Sequence, residues 1–247
     1  MYTFVIIVIL TYVVFQAIEI ASFGARVAGR IVNRRALGTT LAQTIYTASR
    51  FLLIIFLPSL GYIVESGINI DDYIIVVSVT FSLTFIVSII VIYNLNSLQK
   101  FYQVLFNNYN KSTIPVAFLK SLIGKRADYD IKACNSFTFK KIIIKKTLVS
   151  FVAYLFLTSG FFIAFMLAVL FPDNRLTLSQ FTSLFHGFGA VIFAFYLDPM
   201  LSRSIDTDSD DIIWLKNVYS ILLGRTISYL VMVVLLILFF LSKNYLI

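Results

Sequence analysis

Six charged residues lie inside or beside strongly apolar stretches, where an ionised side chain is costly. An arginine at the centre of a membrane span costs about 2.5–3.5 kcal/mol on insertion scales, so it needs a partner or a water-filled cavity. The guanidinium group is also a planar donor that matches the geometry of phosphate. This combination predicts a binding path for a phosphate-bearing group, with these candidate substrate-binding residues: Glu19, Arg26, Arg30, Arg50, Asp198 and Arg225.

The first three of these residues follow the apolar run MYTFVIIVILTYVVF, in the stretch IEIASFGARVAGR. On a continuing helix Glu19, Arg26 and Arg30 share one face. A second stripe contains small residues four apart, which would let another helix come close: Ala21, Ala25 and Gly29. A signal peptide would place basic residues before the apolar run, and none precedes it. We therefore predict a helix that leaves the membrane with a charged face and a packing face.

The other three charges indicate two hairpins built on the same plan. Arg50 falls near the middle of the second apolar segment, and Arg225 follows Gly224 inside the last one. The expected ion pairs are Glu19–Arg50 and Asp198–Arg225, and Glu19 is expected to form, with one of Arg26, Arg50 or Arg225, an exchangeable pair that a substrate diphosphate breaks. Such pairs serve either to hold helices together or to line a pathway, and the number of buried charges favours the pathway.

Three other polar features have a structural and a functional interpretation. The lone His186, in HGFGA, is either hydrogen-bonded inside a bundle or faces a cavity and titrates near neutral pH. The Ser and Thr residues between 78 and 88 either hydrogen-bond the backbone or line a path. The acidic run DTDSDD at 206–211 has oxygen ligands that suit magnesium, yet its place between helices favours a solvated loop. In each case the structural interpretation is favoured, and we expect no metal site.

The composition identifies an integral membrane protein. Of 247 residues, 60% are hydrophobic and 13% are charged, with a mean hydropathy of +0.92. The single cysteine, Cys134, excludes an internal disulfide and a cysteine-based metal cluster. The net charge of +8 lies mainly in loops beside apolar spans, so the predicted partners are anionic membrane lipids and not nucleic acid.

Apolar segments of about 20 residues predict the spans of an all-α polytopic helix bundle. The chain is read as a single transmembrane domain, 1–247, in which a basic amphipathic connection, 94–146, separates two groups of three spans. Period-two alternation, which would indicate strands, is absent from these segments. The six predicted spans are 2–20, 41–63, 73–93, 147–171, 181–198 and 218–241.

The loops are asymmetric in charge, and this asymmetry predicts the orientation in the membrane. The loop 21–40 carries four arginines, and the connection 94–146 carries ten Lys and Arg against two Asp. The loop 64–72 carries three acids and no basic residue. Because basic loops stay on the cytoplasmic side, both termini are predicted to lie outside.

The connection 94–146 contains stretches with helical periodicity. In NSLQKFYQVLFNNYN the apolar residues repeat at helical spacing, and IPVAFLKSLIGKR forms a second such stretch. We expect amphipathic helices along the inner leaflet. Four lysines before the fourth span either set the topology or contact lipid head groups: Lys140, Lys141, Lys145 and Lys146.

Several of these motifs together resemble a known family. The run from Glu19 to Gly29 resembles the Asp-x-x-(Ser/Ala)-Tyr-x-x-Arg-x-Ala-Gly signature of the Amj family, the alternate lipid II flippases of bacterial inner membranes. Ser49-Arg50, Asp198-Pro199-x-Leu201-Ser202 and Gly224-Arg225 resemble three later elements of that family. Glu19 stands where the family has Asp, and Phe23 stands where it has Tyr. The resemblance covers the first sixty residues and 195–228.

The resemblance implies a transporter of the bacterial cytoplasmic membrane. Its cargo would be an undecaprenyl-diphosphate-linked cell-wall precursor, lipid II, moved from the inner to the outer leaflet for peptidoglycan synthesis. Another polyprenyl-diphosphate glycan is an alternative cargo, and a membrane enzyme that acts on such a lipid is an alternative function. The sequence has no Walker A, HExxH or GxSxG motif. We therefore expect no catalytic residues and no cofactor.

Overall fold

The computed structural model describes residues 1–110, 112–123, 142–207 and 211–246, and within these ranges the chain is almost wholly helical and has no strand. Six segments are long and apolar enough to cross a membrane. The predicted all-α polytopic bundle is confirmed, and the protein is a multi-pass membrane protein. The six spans are Tyr2–Ile31, Arg35–Glu65, Ile70–Tyr93, Ile144–Leu170, Pro172–Thr207 and Asp211–Ser242.

Most of these helices run past the predicted apolar limits, because the charged residues that flank the spans continue the helix. The first helix ends at Ile31, well beyond the predicted limit of 20. The α-helices in chain order are α1 (Tyr2–Ile31), α2 (Arg35–Ser49), α3 (Leu53–Glu65), α4 (Ile70–Tyr93), α5 (Leu95–Tyr109), α6 (Ile114–Ile123), α7 (Ile144–Leu170), α8 (Arg175–Ile192), α9 (Asp198–Thr207) and α10 (Asp211–Leu246).

Two spans contain a turn of irregular helix next to a candidate site residue. A 3₁₀ turn, Arg50–Leu52, joins α2 to α3 and starts with the partly buried arginine of that span. Pro58 lies inside α3, after this turn. A π-helical turn, Phe193–Leu197, joins α8 to α9 and comes directly before Asp198. Such turns often mark functional positions, since they change the register of the residues that follow.

Helix α1 is the central helix of the bundle and packs against α2, α3, α4 and α5. Its Tyr12 lies in a group of aromatic rings from both halves of the chain. The ring centroids are 5.3 Å from Phe56, 5.7 Å from Phe81 and 4.9 Å from Phe162. The Tyr12 hydroxyl donates a hydrogen bond to the carbonyl of Thr158 at 2.9 Å. Each such aromatic pair contributes about 0.5–1.5 kcal/mol beyond burial, so α1 is anchored in place.

The predicted small-residue stripe of α1 is the contact with α2. A Cβ atom on Gly29 would lie 2.5 Å from the Cα of Gly38, and one on Gly38 would lie 2.8 Å from the carbonyl oxygen of Ala25. The two backbones therefore touch, and no side chain fits between them. This close approach holds the second span against the charged part of α1.

Glycine to alanine at position 29 is expected to loosen this hairpin. Gly29→Ala adds one methyl group where there is no space, and such overpacking costs about 1–3 kcal/mol. Gly187→Ala is the matched control, because nothing lies within 4 Å of a Cβ at that helical position. The measurement is thermal unfolding of both purified variants in detergent. A Gly29→Ala protein as stable as the control would contradict the close contact.

Helix α7 lies between α8 and α10 and is held to both through glycines. A Cβ on Gly189 would lie 2.6 Å from the carbonyl oxygen of Ala153. A Cβ on Gly224 would lie 2.8 Å from the backbone nitrogen of Phe151. These contacts set the depth of the neighbouring charged residues, since Arg225 follows Gly224 directly.

The amphipathic helix expected at 95–109 is present as α5, but its apolar face is used differently from the prediction. Leu95, Tyr102 and Leu105 are buried, and α5 packs on α1 where Tyr102 approaches Gly24. The apolar face is therefore covered by protein and is not left to lie along a lipid surface. α6 covers 114–123 of the second predicted stretch, and the rest of that stretch lies outside the described residues, as do Lys140 and Lys141.

The orientation predicted from loop charge is testable by thiol labelling. Ser66 and Thr113 are both exposed, one between α3 and α4 and the other between α5 and α6. Single cysteines at these sites, in a Cys134→Ser background, are treated with a membrane-impermeant reagent on intact cells. We expect labelling at 66 and protection at 113. The opposite pattern would reverse the orientation of the protein.

Candidate functional site

The six candidate residues form two groups of ion pairs along α1. The central cluster consists of Gln16, Glu19, Arg50, Arg225 and Tyr229. The terminal pairs are Arg26–Asp198 and Arg30–Asp211, and they lie toward the end of α1. All of these contacts join α1 to other spans, so the charged face predicted for α1 is the surface on which the site is built.

Arg225 is the most deeply buried charge, with a fully buried side chain. Its Nη2 donates to Glu19 Oε2 at 2.6 Å and also to Gln16 Oε1. Its Nε donates to the Tyr229 hydroxyl at 2.7 Å, and that hydroxyl donates to Gln16 Oε1 at 2.8 Å. The guanidinium also lies 4.6 Å from the centre of the Tyr154 ring. Arg225 is therefore held from several sides by groups on α1, α7 and α10.

Arg50 contacts the same carboxylate less closely. Its Nε lies 3.7 Å from Glu19 Oε1, and its side chain is 28% exposed. One guanidinium nitrogen donates to the Tyr46 hydroxyl and the other donates to His186 Nε2 at 2.7 Å. The guanidinium lies 4.6 Å from the centre of the Tyr46 ring. Arg50 is therefore held mainly by neutral groups.

His186 is hydrogen-bonded inside the bundle, as the favoured interpretation predicted, and it also contacts the site residue Arg50. Because arginine only donates, the Nε2 that faces Arg50 accepts. Its Nδ1 then carries the proton and donates to the carbonyl of Leu157 at 3.1 Å. A neutral imidazole thus joins Arg50 to α7. The Ser and Thr row of α4 also has the favoured structural role at Thr80, Thr84 and Ser88, whose hydroxyls donate to backbone carbonyls of the same helix.

The central cluster has an excess of positive charge. Among the described residues, Glu19 is the one carboxylate that contacts Arg50 and Arg225. Glu19 Oε1 and Arg225 Nη1 are buried and have no hydrogen-bond partner in the part of the chain that the structure describes. Two guanidinium groups therefore share one carboxylate in a protein interior, where burying unpaired charge is costly.

Of the two predicted ion pairs, the one in the second hairpin, Asp198–Arg225, is wrong. Asp198 does not pair with Arg225. Its Oδ1 accepts from Arg26 Nη2 at 2.6 Å, while Arg225 pairs with Glu19. The reason is that α1 carries both Glu19 and Arg26, and these two residues take the partners, Arg225 and Asp198, that the second hairpin was expected to pair with each other. The Glu19–Arg50 pair is present at the longer distance.

Arg30 is bound at the junction of α9 and α10. Its Nε pairs with Asp211 Oδ1 at 2.7 Å, and its Nη1 donates to the carbonyl of Ile205 at 3.0 Å. The guanidinium lies 5.3 Å from the centre of the Trp214 ring. Asp211 belongs to the acidic run 206–211, of which 208–210 lie outside the described residues. Within the described part of the chain, no group of three or more His, Cys, Asp or Glu could hold a metal ion.

A small cavity lies beside Arg26, among residues of α1, α2 and α7. Its volume of about 10 Å³ has room for roughly one water molecule. The buried Arg26 Nη1 and Tyr154 hydroxyl have no hydrogen-bond partner among the described residues. Tyr46, in the wall of this cavity, also accepts a hydrogen bond from Arg50 of the central cluster. The cavity is lined by Ser22, Phe23, Arg26, Ala42, Gln43, Tyr46, Tyr154 and Phe193.

Two residues of the site were missed in the sequence, although their positions carried a signal. Gln16 lies one turn before Glu19 on α1 and points to the same guanidinium. Tyr229 lies one turn after Arg225 on α10. Residues three and four apart on a helix are neighbours, so a search for polar residues one turn from each buried charge finds both.

The structure defines a class: a multi-pass α-helical membrane protein with a net-positive charge cluster inside the bundle. No protein-family model, curated protein sequence or solved structure matches the chain.

Proposed function

We propose that this protein is a flippase that moves lipid II, an undecaprenyl-diphosphate-linked cell-wall precursor, from the inner to the outer leaflet of the bacterial cytoplasmic membrane. The cargo carries negative charge on both phosphates, and this head group does not cross hydrocarbon without compensating groups. The positive-inside rule assigns the basic loops to the cytoplasm, with both termini outside.

The observation that carries the proposal is the unbalanced central cluster. Two guanidinium groups, Arg50 and Arg225, share the carboxylate of Glu19. Arginine binds phosphate through paired, charge-assisted hydrogen bonds. A diphosphate that reached this cluster would supply the missing negative charge and accept from Arg225 Nη1, which has no hydrogen-bond partner among the described residues.

The order of the arginines supports a stepwise passage. Arg30 and Arg26 come first from the basic end, each held by a carboxylate, and Arg50 follows, bound to Tyr46 in the wall of the small cavity. The diphosphate displaces each carboxylate in turn, and the carboxylate takes the arginine back when the lipid moves on. A ligand drives such a change only through its different affinity for the two arrangements.

The head group also needs a side opening, because its polyprenyl chain stays in the bilayer. Two contacts join α2 and its 3₁₀ turn to α8 and its π turn. The rings of Tyr46 and Phe193 are stacked, with centroids 6.2 Å apart, and Arg50 contacts His186. Both contacts involve residues that border the site, so a head group that binds Arg50 would break them and separate the two helices. Access between α2 and α8 is part of the proposal.

The deciding experiment is growth rescue of a bacterium depleted of its other lipid II flippase. The wild-type protein is expected to restore growth, and Arg50→Met at equal membrane abundance is expected not to. Failure of the wild type to rescue, at normal abundance, would reject lipid II as the cargo. Leaflet transfer in proteoliposomes then compares lipid II with another polyprenyl-diphosphate glycan. Release of a cleaved product from labelled lipid in detergent would indicate an enzyme instead.

A further inference from the structure

A second and larger cavity lies away from the central cluster, between α9 and the first turn of α7. Its volume is about 410 Å³, and it is open to the outside of the bundle. Its polar lining includes Lys146 on α7 and, beside Ser204, the side chains of Tyr196, Arg203 and Thr207 on the other side. None of these residues contributes to the ion pairs of the candidate site.

The cavity arises because α9 has two different faces. Asp198 contacts Arg26 on α1, and Leu201 and Ile205 are buried in the core. The cavity side carries Tyr196, in the π turn before α9, then Arg203 and Thr207, at helical spacing. One face of this segment thus completes the bundle, and the other presents an arginine and two hydroxyl groups to the cavity.

The cavity carries two cations. The Lys146 ammonium donates to Asn217 Oδ1 at 2.6 Å, which fixes its position at the cavity wall. Arg203 is exposed, and no carboxylate of the described residues forms an ion pair with it. The acid nearest to it along α9 is Asp206, which is also exposed. An exposed guanidinium and a positioned ammonium on opposite walls suit an anion that enters from the solvent or lipid side.

The cavity lies where two spans end. Lys146 is in the first turn of the span Ile144–Leu170, and Arg203 and Thr207 are in the last turns of the span Pro172–Thr207. The ends of membrane spans lie at the depth of lipid head groups, and basic pockets between spans at that depth bind phosphate-bearing head groups.

We propose that this cavity is a second anion site, which binds the phosphate of an anionic phospholipid between Lys146 and Arg203. The site is distinct from the central cluster, and its one link to the arginines of the proposed path is the Ser204 carbonyl, which accepts from Arg30 Nη1 at 3.3 Å. Its phosphate chemistry is shared with free inorganic phosphate, so the experiment separates these two sources.

The test measures binding of phosphatidylglycerol to the full-length protein in detergent by native mass spectrometry. Lys146→Gln/Arg203→Gln is expected to bind about thirtyfold more weakly, the ratio for two cations that each contribute about 1 kcal/mol at an anionic membrane surface. Lys145→Gln/Lys120→Gln is the matched control, because both residues are exposed and neither lines the cavity. The control is expected to bind like the wild type.

Equal weakening by both double variants would overturn the proposal, because it would indicate general surface charge. Phosphatidylcholine is expected not to compete, and competition by it would also overturn a charge-selective site. Competition by millimolar inorganic phosphate would support the phosphate chemistry and overturn the lipid as its source. Arg203→Gln alone, which leaves the Lys146–Asn217 contact intact, is expected to give part of the loss, and its thermal unfolding is compared with the wild type to verify folding.

Discussion

Replacing Glu19 with glutamine is expected to destabilise the empty protein by about 3–5 kcal/mol, the cost of removing one partner of a buried ion pair. The change preserves the size of the side chain and removes the carboxylate that Arg225 and Arg50 share. In the proposed mechanism the substitution also removes the carboxylate that competes with the cargo diphosphate for these arginines. The diphosphate lipid should therefore bind more tightly, and leaflet transfer should slow, because release lacks a replacement partner.

The measurements are the free energy of unfolding in detergent, and lipid binding and leaflet transfer in the same proteoliposomes. Glu65→Gln is the control for loss of a carboxylate, because Glu65 is exposed at the end of α3. A sharper control is Gln16→Glu/Glu19→Gln, which moves the carboxylate by one turn to a side chain that already contacts Arg225. This variant is expected to recover most of the lost stability. Weaker lipid binding with unchanged transfer by Glu19→Gln would refute the exchange mechanism.

Arg225→Met is expected to destabilise the protein, whereas Arg50→Met is not. Arg225→Met removes the guanidinium that pairs with Glu19 and binds Gln16 and Tyr229. It leaves a buried carboxylate whose remaining cation is 3.7 Å away, so a loss of about 3–5 kcal/mol is expected. Arg50→Met removes the surplus cation and leaves the Glu19–Arg225 pair intact. Its stability should match or exceed that of the wild type.

The two arginines are thereby separated into a structural and a transport role. Arg50→Met is expected to yield a folded, membrane-inserted protein that does not transport. Arg50→Lys should transport in part, since lysine keeps the charge and loses the planar fork. Unfolding curves and leaflet transfer are measured for each variant at equal abundance. Normal transport by Arg50→Met would remove the phosphate role, and equal destabilisation by both methionine variants would make Arg50 a part of the structural pair.

Helix α5 shows what a sequence pattern predicts and what it leaves open. The periodicity of 95–109 correctly indicates a helix with one apolar face. An apolar face is equally suited to lipid and to another helix, because the hydrophobic effect is not directional. The small residue Gly24 on α1, which makes room for Tyr102, decides in favour of the helix. That contact depends on residues almost eighty positions apart, and no local pattern reports it.

The local sequence determines the class of this protein, the number of its spans and the identity of its buried charges. These properties follow from short-range terms: the length of each apolar run, the spacing of polar residues along a helix and the cost of charge in hydrocarbon. The same terms place Glu19, Arg26 and Arg30 on one face of α1, as the structure shows them.

Only the tertiary structure decides which charges meet. Position along a span sets the depth of a residue but not the neighbour that its helix face meets, and that neighbour depends on how the six spans pack. Because the charged face of α1 meets the second half of the chain, Glu19 pairs with Arg225 and Asp198 pairs with Arg26. The packing thereby leaves Arg50 with a distant carboxylate, and the net positive charge of the central cluster comes from this arrangement.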